Sequence, residues 1–123
     1  MSAQSVAQTL RQTATRLAKA GFSEARLEAR YLVAHAAGFR ASALLQSGAK
    51  EYPQEKLPAL EALLQERLTG RPLQYVLGEW SFMGLPFKTD ERALIPRQDT
   101  ETLCEEALHL IRARGYQSVL DLC

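Results

Sequence analysis

The chain has 123 residues, a formal net charge of +1, 46% hydrophobic residues and 24% charged residues. This length and composition are typical of a globular protein with one domain, or with a small domain and part of a second. The near-zero charge argues against broad electrostatic binding to nucleic acid or anionic lipid, and no apolar run is long enough to cross a membrane. The two cysteines, Cys104 and Cys123, match no disulfide or zinc-site spacing, which favours a reducing, cytoplasmic setting and no metal site.

The first two predicted helices carry their apolar residues at helical spacing. The first covers residues 5–20 and ends before Gly21, a residue suited to a left-handed cap. The second covers residues 24–37, with Ser23 as its expected N-cap. The stripes expected to be buried are Val6, Leu10, Thr13 and Leu17 in the first helix, and Leu27, Tyr31, Leu32, Ala34 and His35 in the second. We therefore expect His35 to be partly buried and hydrogen-bonded rather than catalytic.

Two further helices complete a predicted bundle. A short helix covers residues 41–46 and the next begins near Leu57, or at Pro53 with an irregular first turn. The reason is Pro58, which would remove a hydrogen bond from a helix interior. The expected anchors are Leu44 and Leu45 in the short helix, and Leu57, Leu60, Leu63, Leu64 and Leu68 in the next. Residues 1–70 therefore predict a small antiparallel helical bundle with short connections.

A change of period predicts a β-hairpin after this bundle. Residues 73–77 add one helical turn, and residues 79–83 and 86–89 then alternate, with Gly84 at the turn between them. A short extended run ends at Pro96, which disfavours helix at the residue before it. Residues 71–98 are therefore predicted to form a β-hairpin linker.

A helix and a strand are predicted after the linker. Asp99 is the expected N-cap of a helix over residues 100–114, and Gly115 is its expected C-terminal cap. The face expected to be buried contains Leu103, Ala107, Leu110 and Ile111. Residues 118–123 are an apolar run with one acid, as in the first strand of an α/β sheet. We therefore expect residues 99–123 to be the start of a larger, truncated domain.

Three motifs together resemble one known family. They are Gly70-Arg71-Pro72-Leu73-Gln74-Tyr75-Val76-Leu77-Gly78, Phe82-Met83-Gly84-Leu85-Pro86-Phe87, and Leu94-Ile95-Pro96-Arg97-Gln98-Asp99-Thr100-Glu101. They resemble the HemK/PrmC family, the protein-(glutamine-N5) methyltransferases of peptide chain release factors. Gln98 stands where the family more often has proline. The resemblance extends over the whole chain, because Val119 to Cys123 also match the strand that opens the family's catalytic domain.

The resemblance implies a mainly α fragment of a two-domain enzyme. The helical bundle would help to dock the release factor, and residues 99–123 would begin a class I, Rossmann-like methyltransferase domain. In the family, S-adenosylmethionine supplies a methyl group to the glutamine side chain of the release factor's Gly-Gly-Gln motif. An amide nitrogen is a poor nucleophile, so the family achieves catalysis by positioning and electrostatics.

The resemblance also assigns roles to residues near the end of the chain. Leu94, Ile95, Pro96 and Arg97 would line the mouth of the active site, and Asp121 and Cys123 would form the edge of the cofactor loop. An alternative for Arg97 is an ion pair with Asp99 or Glu101. The family's catalytic motif, Asn-Pro-Pro-Tyr, lies beyond the chain. We therefore expect the chain alone neither to bind S-adenosylmethionine nor to transfer methyl groups.

Two other functions stay open on the sequence alone. One is a stand-alone helical interaction module. The other is a related nucleic-acid adenine methyltransferase, which the near-neutral charge disfavours because nucleic-acid binding relies on positive charge. We expect peptide chain release factors as partners, and no membrane or direct nucleic-acid binding. Five bundle arginines either meet an acidic release-factor surface or form a solvated face: Arg11, Arg16, Arg26, Arg30 and Arg40.

Overall fold

A computed structural model describes residues 3–122 of the chain. The described part is mainly helical and has a two-stranded antiparallel sheet. It divides into two compact units, one extending through Gly78 and the other beginning at Glu79. Residue ranges 1–70, 71–98 and 99–123 stay our prediction for the functional domains.

The first unit is a helical bundle arranged around its second helix. Its helices are α1 (Val6–Lys19), α2 (Ala25–Ala37), α3 (Ala41–Leu44), α4 (Leu57–Leu68) and α5 (Leu73–Leu77). A short 3₁₀ turn, Gln54–Lys56, precedes α4, so the helix begins at Leu57 with Pro58 in its first turn. Helix α2 packs against each of the other four. This arrangement confirms the predicted bundle and, of the two predicted starts of this helix, the one near Leu57.

The core of the bundle forms where α2 meets its neighbours. Leu32 and Val33 of α2 have no exposed surface, and Leu17 of α1 and Leu64 of α4 are buried with them. Tyr52, only 1% exposed, donates a hydrogen bond from its hydroxyl to the Val33 carbonyl at 2.8 Å. The segment before α4 is thereby fixed to the central helix.

The start of α1 is held by the segment that precedes α4. Ser5 and Gln8 form a reciprocal capping box, in which each side chain accepts a hydrogen bond from the backbone of the other. The Val6 and Ala7 amides donate to the carbonyls of Lys50 and Gly48 at 2.8 and 3.0 Å. The first amides of α1 therefore all have partners, although its N-terminus lacks an acidic residue.

The buried face of α2 differs from the predicted one. The buried residues are Ala25, Ala29, Leu32, Val33 and Ala34, whereas Leu27 is 46% exposed and His35 is exposed. The expectation of a partly buried His35 was wrong. The small alanines let neighbouring helices approach closely, so the largest apolar residues did not define the contact face. The N-cap is Glu24, without a side-chain hydrogen bond, and not Ser23.

The second unit begins with the predicted hairpin. Strands β1 (Glu79–Phe82) and β2 (Leu85–Lys88) pair with Phe82 opposite Leu85. The rings of Phe82 and Phe87 meet edge to face, with 6.0 Å between their centroids. Helix α6 (Gln98–Arg114) follows, and the Glu101 carboxylate accepts a hydrogen bond from the Met83 amide at 2.8 Å. This bond attaches the hairpin turn to the first turn of α6.

Helix α6 and the residues after it differ from three expectations. The helix begins at Gln98 with Arg97 as its N-cap, so Asp99 lies inside the first turn. None of its residues is buried, and Leu103 is 69% exposed. Residues 116–122 form no strand, because the described chain offers no strand beside them with which to pair. The predicted Rossmann-like strand is therefore not seen, and Cys123 lies outside the described residues.

Candidate functional site

The predicted mouth residues lie in the irregular segment between β2 and α6. Leu94 is 88% exposed, Ile95 and Pro96 are half-buried, and Arg97 is exposed. The Arg97 carbonyl accepts hydrogen bonds from the Thr100 and Glu101 amides at 3.1 and 3.2 Å. The backbone of Arg97 therefore starts α6 and leaves its side chain directed to solvent.

The Arg97 side chain forms no ion pair within residues 3–122. The alternative pairing with Asp99 or Glu101 is therefore not formed, and Glu101 binds the Met83 amide instead. An exposed guanidinium at this position could contact a bound partner or substrate. The role of Arg97 at an active-site mouth stays a prediction.

The residues expected at the edge of the cofactor loop are not assembled into a site by the described chain. Asp121 is exposed and lies in a segment without secondary structure, and Val119, Leu120 and Leu122 beside it are between 69% and 80% exposed. These residues do not form a cradle for a nucleotide-type cofactor. The assignment of Asp121 and Cys123 to that loop therefore stays a prediction.

The first family-like motif has a clear structural role in the bundle. Its residues 73–77 form α5, in which Leu73, Val76 and Leu77 are buried, and Gly78 ends the helix in a left-handed conformation. The carbonyl of Arg71, at the start of the motif, accepts a hydrogen bond from Arg67 at 2.9 Å. The motif therefore closes the bundle and sets where the chain leaves it.

Arg67 was not singled out in the sequence, yet it joins several parts of the bundle. Its guanidinium binds both carboxylate oxygens of Glu28 at 2.6 and 3.0 Å, although the two residues are 39 positions apart. It also stacks on the ring of Phe22, with 4.3 Å from the central carbon to the ring centroid. Both charged side chains are about 85% buried, with exposed fractions of 15% and 13%. Charges this far apart in sequence carry no local signal that predicts their pairing.

One groove on the bundle surface lies between α1 and α4. It has a volume of about 450 Å³ and is bordered by the ion pair of Arg16 and Glu61, in which Arg16 Nη2 lies 2.9 Å from Glu61 Oε1. The hydrogen bond from Arg16 and, to a smaller extent, the one from Gln65 lower the pKa of Glu61 to about 2. The charges at this border therefore compensate each other at neutral pH.

A second groove, which we call the arginine groove, lies between α1 and α2 beside α3. It has a volume of about 490 Å³. Its lining residues are Ala7, Leu10, Arg11, Ala14, Thr15, Arg26, Arg30 and Leu45. The lining contains three arginines and no acidic residue, so this groove is positively charged. Arg16, also considered as a docking residue in the sequence, is already paired with Glu61.

The described residues give no indication of a metal or membrane-embedded site. Within residues 3–122, no group of three or more histidine, cysteine, aspartate or glutamate side chains is arranged to hold a metal ion. In the same residues, no helix combines the length and the apolar content required to cross a bilayer.

Comparison with known proteins identifies the bundle. The sequence model of a family described as the PrmC N-terminal domain matches residues 8–78, which include nearly all of the first unit. The chain belongs to the PrmC N-terminal domain family. The matched residues include the first of the three motifs, residues 70–78, and the match confirms the resemblance to this family.

Relatives of this PrmC N-terminal domain chain extend the similarity beyond the bundle. It is 38% identical over 93% of its length to a release factor glutamine methyltransferase from Chlorobaculum tepidum, and 41% identical over 86% to one from Geobacter sulfurreducens. It is 35% identical over 80% of its length to the human MTRF1L release factor glutamine methyltransferase. The chain covers 39%, 37% and 30% of these three relatives, respectively.

Proposed function

We propose that this chain is the amino-terminal, substrate-docking part of an S-adenosylmethionine-dependent release factor glutamine methyltransferase. The observation that carries the proposal is the family match over residues 8–78, together with relatives of that name at 35–41% identity. In this proposal the bundle binds the release factor, and the hairpin connects it to the catalytic domain. The longer protein acts in the cytoplasm and does not bind nucleic acid directly.

The proposed reaction methylates the side-chain amide nitrogen of the glutamine in a Gly-Gly-Gln motif. That nitrogen is a poor nucleophile because its lone pair is delocalised into the carbonyl. Orientation and hydrogen bonding must therefore supply most of the rate enhancement. When bound, S-adenosylmethionine supplies an electrophilic methyl group. The chain's own contribution is to hold the large protein substrate and, through residues 94–97, to border the opening that its loop enters.

A methylation assay of the full-length protein from the encoding gene tests the proposed activity. We expect transfer of labelled methyl groups to a release factor, and loss of transfer when the glutamine of its Gly-Gly-Gln motif is replaced by asparagine. Transfer to adenine in DNA, with none to the release factor, would instead support the alternative nucleic-acid methyltransferase. Absence of transfer to either substrate would contradict the proposal.

A calorimetric titration tests the division of roles between this chain and the rest of the enzyme. We expect no measurable heat when S-adenosylmethionine is added to the chain alone, because its exposed residues 118–122 form no cradle. The full-length protein should bind the cofactor under the same conditions. Micromolar binding by the chain alone would contradict this part of the proposal.

A further inference from the structure

Seven of the eleven arginines in the described chain either form ion pairs or line the arginine groove. Four of them form ion pairs with nearby acids: Arg16, Arg67, Arg71 and Arg92. Arg11, Arg26 and Arg30 have no side-chain hydrogen bond or ion pair within residues 3–122, and all three line the arginine groove. A cluster of unpaired cations in one groove is different from a surface of scattered, locally neutralised charges.

The helices place these three arginines at positions suited to carboxylates. Arg26 and Arg30 are four residues apart on α2, so their side chains are neighbours on one face of that helix. Arg11 lies on the opposite wall, on α1. A guanidinium group can bind both oxygens of one carboxylate, which favours geometrically defined pairing with glutamate or aspartate.

The lining of the groove is partly apolar. Leu10 and Leu45 contribute the large side chains, and Leu45 is 65% exposed, although apolar residues of this size are usually buried. Ala7 and Ala14 are the other apolar residues of the lining. Phosphate groups of a nucleic acid would pair with the arginines but would leave the leucines uncovered. An apolar side chain flanked by carboxylates matches both features of the groove.

We propose that the arginine groove binds an acidic amphipathic helix on the surface of a partner protein. An apolar side chain of that helix packs on Leu10 and Leu45, and its carboxylates pair with Arg11, Arg26 and Arg30. The inference rests on the proposed function in taking the release factor to be that partner. It specifies which face of the bundle docks and what chemistry the docked segment has.

The first experiment tests the groove without the release factor. The probe is a fluorescein-labelled, alanine-based helical peptide with two glutamates one turn apart and a leucine on the same face. We expect its fluorescence anisotropy to rise with added chain and the affinity to fall as salt screens the charges. A matched peptide with glutamines should bind about tenfold more weakly. Equal binding of the two peptides, or tighter binding of a single-stranded RNA, would overturn the proposal.

Two variants of the chain locate the binding site. Arg26→Gln with Arg30→Gln should weaken binding of the acidic peptide about tenfold, because it removes both cations of α2. Leu45→Ser should weaken it severalfold without changing its salt dependence. The matched control is Arg112→Gln with Arg114→Gln in α6, which removes the same charge and should leave binding unchanged. Circular dichroism should show all three variants folded, and equal loss in the control would contradict the assignment.

The second experiment separates this inference from the proposed function. The same variants are introduced into the full-length protein, and its binding to a release factor is measured. If the release factor is bound and methylated but the Arg26 and Arg30 variant binds it normally, the proposed function stands and the groove assignment fails. If the acidic peptide binding depends on these arginines but the release factor is neither bound nor methylated, the groove is an acidic-helix site while the proposed function fails.

Discussion

A single guanidinium group, that of Arg67, links α4 to α2 and to the segments on either side of them. It forms a two-point ion pair with Glu28, donates to the Arg71 carbonyl and stacks on Phe22. Both side chains of the ion pair are largely buried, so water cannot fully solvate either charge once its partner is removed. Loss of either partner therefore leaves a poorly solvated charge behind.

We expect Arg67→Ala to destabilise the bundle by about 3 kcal/mol, because it leaves Glu28 buried and unpaired. Arg67→Lys keeps the charge but loses the two-point geometry and the stacking, and should cost about 1–2 kcal/mol. Urea unfolding followed by circular dichroism measures both values. Arg92→Ala is the control, because the Arg92 side chain is 85% exposed and its ion pair with Asp90 should contribute little. Equal effects at the two positions would contradict the proposed role of Arg67.

We expect Tyr52 to make the bundle less stable at alkaline pH. Burial raises the pKa of its hydroxyl from 10.0 to about 12. The neutral form is thus favoured in the folded state, so this contribution is complete below pH 10 and is lost as the pH rises towards 12. We expect unfolding experiments to show a decrease of order 2 kcal/mol over this interval, and Tyr52→Phe to lack that part of the decrease. At neutral pH the same variant should be about 1 kcal/mol less stable, because it loses the hydrogen bond to Val33. An identical pH curve for the variant would contradict this assignment.

At the scale of secondary-structure elements, the two-residue turn of the hairpin is under backbone constraint. Met83 and Gly84 both have positive φ, at 53° and 76°, as in a type I′ turn that matches the twist of paired strands. No atom would clash with a Cβ at Gly84, so an alanine there would be opposed by the backbone alone. Glu101 holds the Met83 amide and fixes the turn beside α6.

We expect Gly84→Ala to destabilise the hairpin by about 1 kcal/mol, and Met83→Asn to stabilise it by a similar amount. Asparagine adopts positive φ more easily than methionine, and its backbone amide can still donate to Glu101. Amide hydrogen exchange in β1 and β2 measures both changes. Faster exchange in both variants, or in neither, would show that the turn geometry does not limit the stability of the hairpin.

Helix boundaries were predicted from residues that act locally. Gly21, Gly38, Gly78 and Gly115 have positive φ at or just beyond helix ends, and Leu60 and Leu64 are buried at their predicted positions in α4. The buried face of α2 was not predictable in the same way. This helix lies at the centre of the bundle and contacts four other helices. Its alanines as well as its leucines therefore enter contacts that depend on how those helices pack.

At the scale of the whole molecule, the apolar core belongs to the first unit. Each fully buried apolar residue in the described chain precedes Gly78, whereas Leu85, Leu94 and Leu103 in the second unit are at least 60% exposed. The burial of apolar side chains that offsets the conformational entropy lost on folding therefore occurs in the bundle.

We expect a shortened protein with residues 1–78 to unfold cooperatively, with a thermal midpoint within about 5 °C of that of the full chain. Its core is retained, and it is of a size at which a single core can suffice. A peptide with residues 79–122 is the matched control and should show no cooperative transition, because it has no buried apolar residue. Loss of helical circular dichroism in the shorter protein would contradict the independence of the bundle.

The family and the helical bundle were determined by the sequence alone, because motifs, glycine caps and leucine spacing act over a few residues. The hairpin could be predicted for the same reason, since its turn and its alternating residues are adjacent in the chain. Only the tertiary structure paired Arg67 with Glu28, Arg16 with Glu61 and Tyr52 with Val33, and only it brought Arg11 together with Arg26 and Arg30. These contacts depend on how separate helices pack, and the local sequence pattern around a residue does not indicate a partner that is distant in the chain.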